Sequence, residues 1–422
     1  MKELLLKIKQ QSLPIQIHGL GCLLIVIGLF FSRALMSIGM MTLVLAAIVH
    51  SKRKNNWSEF IHNTPYVLMS LYAIIMAFTF FWSTDLKYYL QRMTIMLPFL
   101  VLPFSFLSFR NETHEWLKPG LILFLVFLTI GNSISLFTYF SQKDLFDASY
   151  GFSKVIPTPF KSDHIRYSMA VAIGCAVILF YGQQAPTLIS KILWGGLFLY
   201  FTVFIHILSS KTGVLSYYLV CLTFLFYLFR KKQNRKFVVG LLLLLMLIPV
   251  ISYRFSSTFR SKISYLEYSF HEIGNNHLQA NVSDEGRIIS YQYAFDILKK
   301  QPLLGVGLGD VYKEMDWRFK RDFPERTEEP LLPHNQFLMV WVGGGLLACL
   351  YLVYFQWRWI TRVLKFGFLH VAVFLVLFFG MLFEPLFETQ YGACIYVIII
   401  LFIDKSPSNM FKLNEMNKSD CN

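Results

Sequence analysis

Charge is what this 422-residue sequence has least of: 15% of its residues are charged, against about 25% in a soluble domain. That shortage excludes an ordinary water-soluble chain. Acids are scarcer than bases, 25 Asp and Glu against 39 Lys and Arg. The six cysteines, Cys22, Cys175, Cys221, Cys349, Cys394 and Cys421, show no CxxC or Cys/His spacing, so neither a metal site nor a disulfide is expected. Five lie in apolar blocks and read as small buried hydrophobes. There is no internal repeat, no low-complexity segment, no P-loop, no nucleophile elbow and no heptad zipper. Gly305-Val306-Gly307-Leu308-Gly309 is not a dinucleotide fingerprint, because it follows a helical pattern with no βαβ unit around it. No cleavable signal pattern opens the chain, and the basic head with Lys2, Lys7 and Lys9 is expected to stay in the protein.

What is present is apolar. Hydrophobic residues make up 55% of the chain, 42 Phe among them, and the mean hydropathy is +0.51. They fall in blocks of roughly 16–22 residues, the length a helix needs to cross about 30 Å of hydrocarbon. The alternating segments of about ten residues that mark a membrane barrel are missing. The expected fold is all-α: a polytopic membrane protein of about 12 transmembrane helices with one large helical loop outside the membrane. The spans fall at about 17–31, 35–50, 65–83, 92–108, 119–140, 167–185, 192–208, 213–230, 237–253, 335–355, 366–383 and 389–403. Residues 1–166 form an N-terminal group of spans with a first larger loop, 167–404 a second membrane domain, and 405–422 a tail.

Orientation follows from the basic loops. Ser51-Lys52-Arg53-Lys54, Arg230-Lys231-Lys232-Gln233-Asn234-Arg235-Lys236, and Arg358, Arg362 and Lys365 fall on one side if that number of spans holds. Both termini share that side, expected to be cytoplasmic. This topology explains most of the +14 formal charge, and no nucleic-acid partner is expected. The opposite face collects four polar segments: about 141–166, the turn Ser209-Ser210-Lys211-Thr212-Gly213, the long interlude of about 254–334, and Glu384-Pro385-Leu386-Phe387-Glu388.

The interlude has internal order. Ser283 can cap a helix over about 284–300, with Asp284 and Glu285 where the dipole favours acids. Ile288, Tyr291, Phe295 and Leu298 recur at helical spacing as an apolar stripe. The three glycines then form a flexible or tight turn, and about 310–333 reads as charged and irregular.

Few residues here can do chemistry. His334, where the interlude enters the next span, suits proton transfer near neutral pH; the plainer reading is a capping Asn335 with an incidental histidine. Arg287 can grip phosphate oxygens with two donors, or simply face solvent. Arg166 and Lys211 can serve an anion or snorkel to headgroups. Glu384 and Glu388 are either solvated loop acids or groups that orient a basic residue. Asp163-His164 stands too alone to be a metal site.

The stretch from Arg287 to Ala348 resembles the O-antigen ligase and O-antigen polymerase superfamily. The matching features are Arg287 opening a helix, the turn Gln301-Pro302-Leu303-Leu304-Gly305-Val306-Gly307-Leu308-Gly309, and His334-Asn335-Gln336-Phe337-Leu338 followed by Gly345. Ala348 stands where the family has a second glycine. Ser210-Lys211 stands where it often has Ser-Arg, so the charge is kept without the planar fork. The resemblance implies glycan transfer from an undecaprenyl-diphosphate-linked donor in the bacterial inner membrane, with the site facing the periplasm. No cofactor, ATP or metal is implied. It casts His334 and Arg287 as catalytic, Arg287 with Lys211 or Arg166 as diphosphate-binding, and Asn335, Glu384 and Glu388 as supporting. The first expectation is an O-antigen ligase acting on lipid A-core. An O-antigen or exopolysaccharide polymerase, whose acceptor is a second lipid-linked glycan, is the alternative. A protein O-oligosaccharyltransferase fits less well, because such enzymes often add a C-terminal periplasmic domain. A transporter or flippase would show broken spans, repeats or ionisable residues in mid-span.

Overall fold

The computed structural model of the chain describes residues 11–50, 53–109, 113–150, 155–160, 163–233, 235–274, 283–325 and 329–404. Every regular element among them is helical. In chain order these are α1 (Leu13–Phe31), α2 (Arg33–Val49), α3 (Arg53–His62), α4 (Thr64–Ala77, continued by a 3-10 turn Phe78–Phe81), α5 (Leu86–Ser108), α6 (Thr113–Ser141), α7 (Lys143–Tyr150) and α8 (His164–Gln184). Then come α9 (Leu188–Leu208), α10 (Lys211–Arg230), α11 (Arg235–Phe255), α12 (Ser257–Gly274), α13 (Ser283–Lys300), α14 (Val311–Asp322), α15 (Gln336–Val363), α16 (Phe368–Phe383), a 3-10 turn Leu386–Glu388, and α17 (Gln390–Asp404). Among the described residues nine helices are long and apolar enough to cross a membrane, and α2, α16 and α17 are shorter apolar helices. The chain is therefore a multi-pass membrane protein. The basic head at Lys2, Lys7 and Lys9, Lys52 and Cys421 lie outside the described residues, as does the side chain of Ser283.

The most enclosed of the nine long apolar helices is α8, which packs on α9, α10 and α16, whereas nearly all of α11 faces outward. Caps set the helix starts. Asp85 accepts from Tyr88 N at 2.9 Å to open α5, and Asn335 Oδ1 accepts from Leu338 N at 3.0 Å to open α15. Five cysteines are buried and unpaired. At the end of the bundle opposite the interlude, Arg362 grips Asp404 at 2.5 and 2.8 Å, and Tyr66 donates to the same carboxylate at 2.9 Å. Arg362, expected in a solvated basic loop, is instead a bolt joining α4, α15 and α17.

The interlude is more helical than its sequence suggests. The charged stretch after Gly309 is not irregular throughout, because it contains α14. Val311, Met315 and Phe319 recur every fourth residue and bury one narrow face, while most of the other residues of that helix are charged. The expected stripe on α13 is also rotated. Ile289, Tyr293, Ala294, Ile297 and Leu298 are buried, whereas Phe295 is 51% exposed. The reason is that α13 packs against both α14 and the start of α15, forming a small second core with Leu338, Met339 and Val342.

The glycine turn is tight, and its position is fixed by a break in α15. Gly345 has φ +79 and interrupts that helix. The freed Leu346 N donates to the Pro302 and Leu303 carbonyls, both at 3.1 Å, and Val306 N donates to the Val342 carbonyl at 2.8 Å. Backbone groups that would otherwise be orphaned in the interior are thereby paired. On the far side, the Asp310 carboxylate accepts from Thr84 N, Thr84 Oγ1 and Asp85 N at 2.7, 2.6 and 3.0 Å. A Cβ at position 345 would lie 2.0 Å from the Leu303 oxygen.

Gly345→Ala is therefore expected to cost at least about 1–3 kcal/mol, seen as a lower thermal unfolding midpoint of the detergent-solubilised protein. Gly196→Ala, which meets nothing within 4 Å, should leave the midpoint unchanged or slightly raised.

Candidate active site

Five charged or titratable side chains form one continuous chain of contacts at the interlude end of the bundle. Lys211 Nζ, at the start of α10, pairs with Asp284 Oδ2 in the first turn of α13. Asp284 Oδ1 lies 3.9 Å from Arg287 Nη1. Arg287 Nη2 donates to Glu384 Oε1 at 2.6 Å. The other Glu384 oxygen, Oε2, stands 3.4 Å from His334 Nδ1. Lys211, Asp284, Arg287 and His334 keep some exposure, whereas Glu384 is buried at 3% exposed.

Local structure fixes each member. Ser209 takes a left-handed conformation, φ +50, so that α9 ends and α10 begins within two residues. Ser168 Oγ donates to Ser210 Oγ at 3.1 Å, and a Cβ on Gly213 would lie 2.3 Å from the Ser168 Cβ. The start of α10, and Lys211 with it, is thus pressed against α8. His334 precedes the capping Asn335, whose Nδ2 also donates to the Leu382 carbonyl at 3.0 Å, tying the start of α15 to the end of α16. Tyr291, one turn along α13 from Arg287, donates its hydroxyl to the His334 carbonyl at 2.7 Å. One helix therefore carries Arg287 and holds the backbone of His334.

The two acids of the 384–388 turn behave oppositely. Burial drives the Glu384 carboxyl upward, but the close approach of His334, with the charges of Arg287 and Arg166, outweighs it and holds Glu384 below its ordinary 4.5. Burial also drives Glu388 upward, and there it wins over Arg92, Gln336 and Arg166, so Glu388 stays above 4.5. Glu388 pairs with Arg92, whose Nη1 lies 3.6 Å from its Oε2 and donates to its carbonyl at 2.6 Å. Neither acid is a solvated loop group: both are buried.

Arg166 does not join the Lys211–Arg287 pair. Its guanidinium donates to Asp163 Oδ2 at 2.8 Å and, at 3.4 Å, to the Pro385 carbonyl. Asp163 caps α8 by accepting from Arg166 N at 3.2 Å. Arg166 thus braces the turn that carries Glu384. His334, Arg287, Lys211 and Glu384 come together, Asn335 supports them through the backbone, and Glu388 sits apart with Arg92.

Sequence reasoning missed Tyr291's role, Arg92 and Lys262. An arginine inside an apolar block was the available signal for Arg92. For Lys262 it was a lysine on the face formed by Thr258, Phe259, Tyr265 and Ser269 of α12, all of them buried with it.

Residues 195–353 match the family model described as O-Antigen ligase. No curated protein matches the chain. The family match bears out the resemblance and covers Lys211, Lys262, Asp284, Arg287 and His334. Glu384, Glu388, Arg92 and Arg166 lie outside it, so both acids of the 384–388 turn come from beyond the matched stretch.

A carboxyl held below its unfolded value adds stability that is complete above about 4.5 and is lost as pH falls through the lower folded value. Glu384→Gln should therefore lose about 3 kcal/mol at neutral pH and lack that acid limb. Thermal unfolding of the two proteins across pH checks this: parallel curves would contradict it.

Proposed function

We propose that the chain is an O-antigen ligase-like glycosyltransferase, moving a glycan from undecaprenyl diphosphate to a sugar hydroxyl of lipid A-core at the periplasmic face of the bacterial inner membrane. The observation that carries this reading is the single network joining a histidine to two cations, Lys211 and Arg287, through two carboxylates. A base and an anion-binding pair standing together are what transfer from a lipid diphosphate requires.

In this reading the diphosphate lies against Lys211 and Arg287, and the acceptor hydroxyl approaches His334. Glu384 faces Nδ1 and so favours the tautomer with its proton there, which leaves Nε2 to take the hydroxyl proton. The acceptor oxygen attacks the anomeric carbon, the bond from that carbon to the diphosphate oxygen breaks, and the electron pair leaves with the diphosphate. Direct attack inverts the anomeric centre. The leaving group is a good one already, so positive charge near the bridging oxygen does more than protonation would. Neither ATP nor a metal enters these steps. Arg166, engaged with Asp163 and Pro385, supports the turn and leaves the second cation's role to Lys211.

The assay is transfer from a purified lipid-linked donor, offered either lipid A-core or a second donor molecule as acceptor. Product with lipid A-core is expected; product only with the second donor would make the chain a polymerase. His334→Ala and Arg287→Ala should each lower the rate by about 10²–10⁴-fold while reaching the membrane normally. Lys211→Arg should keep most activity and Lys211→Ala lose it; full rates in all these variants would overturn the assignment.

A further inference from the structure

The network lies at one end of α13, and a separate cavity of about 600 Å³ opens at the other. Its walls are the turn after α13, the start of α14 and the short link between α4 and α5. Lys300 from the last turn of α13 and Lys313 from the first turn of α14 line it, together with the acids Asp310 and Glu314. Both acids are already engaged. Asp310 accepts from Thr84 and Asp85, and Glu314 pairs with Arg318 at 2.6 Å. Lys300 and Lys313 are exposed, and among the described residues neither has an ion-pair partner. Two ammonium groups on one cavity suit a phosphate, which lysine meets as a point charge.

The cavity stands at the level of the membrane surface. Trp82 and Thr84, in its wall, belong to the link between two spans, Thr64–Phe81 and Leu86–Ser108. Leu303 and Leu304, also in the wall, are exposed. Phe80 and Phe81, just before Trp82, line an apolar groove of about 390 Å³ between α4 and α5, with Ala77, Phe78, Met93 and Leu97. A basic pocket at the membrane surface beside an apolar groove is complementary to a lipid with a phosphorylated head.

We propose that this cavity seats the phosphorylated anchor of the acceptor, lipid A-core, with Lys300 and Lys313 on an anchor phosphate and an acyl chain along the groove. This rests on the ligase reading above. The helix α13 sets the spacing: Arg287 is in its first turn and Lys300 follows thirteen residues later, about 20 Å along the axis. The reacting carbon of the donor is bonded to its diphosphate, so the donor's seat must be at the network itself. The accepting sugar of lipid A-core is separated from its phosphorylated anchor by several sugars, so that anchor must be held at a distance. One helix thus serves the donor at its start and the acceptor at its end, and its Tyr291 holds the backbone of His334 between them.

The test is glycan transfer by the full chain in detergent, with the concentration of lipid A-core varied. In the double variant Lys300→Ala, Lys313→Ala the KM for lipid A-core should rise roughly five- to tenfold, and Lys300→Arg, Lys313→Arg should restore it. Lipid A-core stripped of its anchor phosphates should show the same weak KM with wild type and with the alanine variant. Excess phosphatidylglycerol should leave the wild-type KM where it was. Unfolding midpoints show that each variant is folded. An unaltered KM in the alanine variant, an equal KM for the stripped acceptor in wild type, or competition by phosphatidylglycerol would overturn the seat. If lipid A-core receives no glycan at all, the ligase reading falls, and calorimetric binding of lipid A-core decides the seat by itself. Weaker binding by the alanine variant keeps it; equal binding, or no saturable binding by wild type, removes it.

Discussion

The site depends on one buried carboxylate shared between two partners. Glu384 sits where α16 ends, and a carboxylate there, out of water, costs several kcal/mol unless it is paired and hydrogen-bonded. Arg287 from α13 meets one of its oxygens and His334 at the entrance of α15 faces the other. The acid therefore sets the spacing and orientation of a cation and a base that lie far apart in sequence. Its own backbone is held in turn, because Arg166 from α8 reaches the carbonyl of Pro385. The neighbouring Glu388 shows what the same burial does when opposed only by Arg92, Gln336 and Arg166: its carboxyl is raised rather than lowered. Two acids in one short turn are driven apart by what touches them, and the one held low carries the network.

Shared charge alone would not position α13, whose other end is anchored by a different device. A continuous helix has no backbone groups to spare at its middle. By breaking at Gly345, α15 exposes the Leu346 N–H and the Val342 carbonyl, and the turn after α13 bonds to both. Asp310 then fastens the far side of that turn to the residues opening α5. Ion pairs hold the first turn of α13 and backbone hydrogen bonds hold the chain after its last, so Arg287 rides on a rod fixed at both ends. Rigid support of that kind is what a site needs if its groups are to hold their geometry.

The sequence made the spans legible because hydropathy and block length are local properties. Arg287, Lys211 and His334 stood out as charged or titratable groups beside membrane segments, and Asn335 as a cap. The partner of Arg287 did not, since the Glu384 contact joins residues 97 positions apart and no periodicity reports it. Glu384 and Glu388 look alike in sequence, two acids in a short proline-containing loop, and only packing tells which basic residue each one meets. The helix α14 was hidden because Val311, Met315 and Phe319 form a thin apolar line in a run that is otherwise mostly charged. Lys262 was hidden for a related reason: a lysine in a polar segment reads as solvated until its neighbours at helical spacing are seen to be buried.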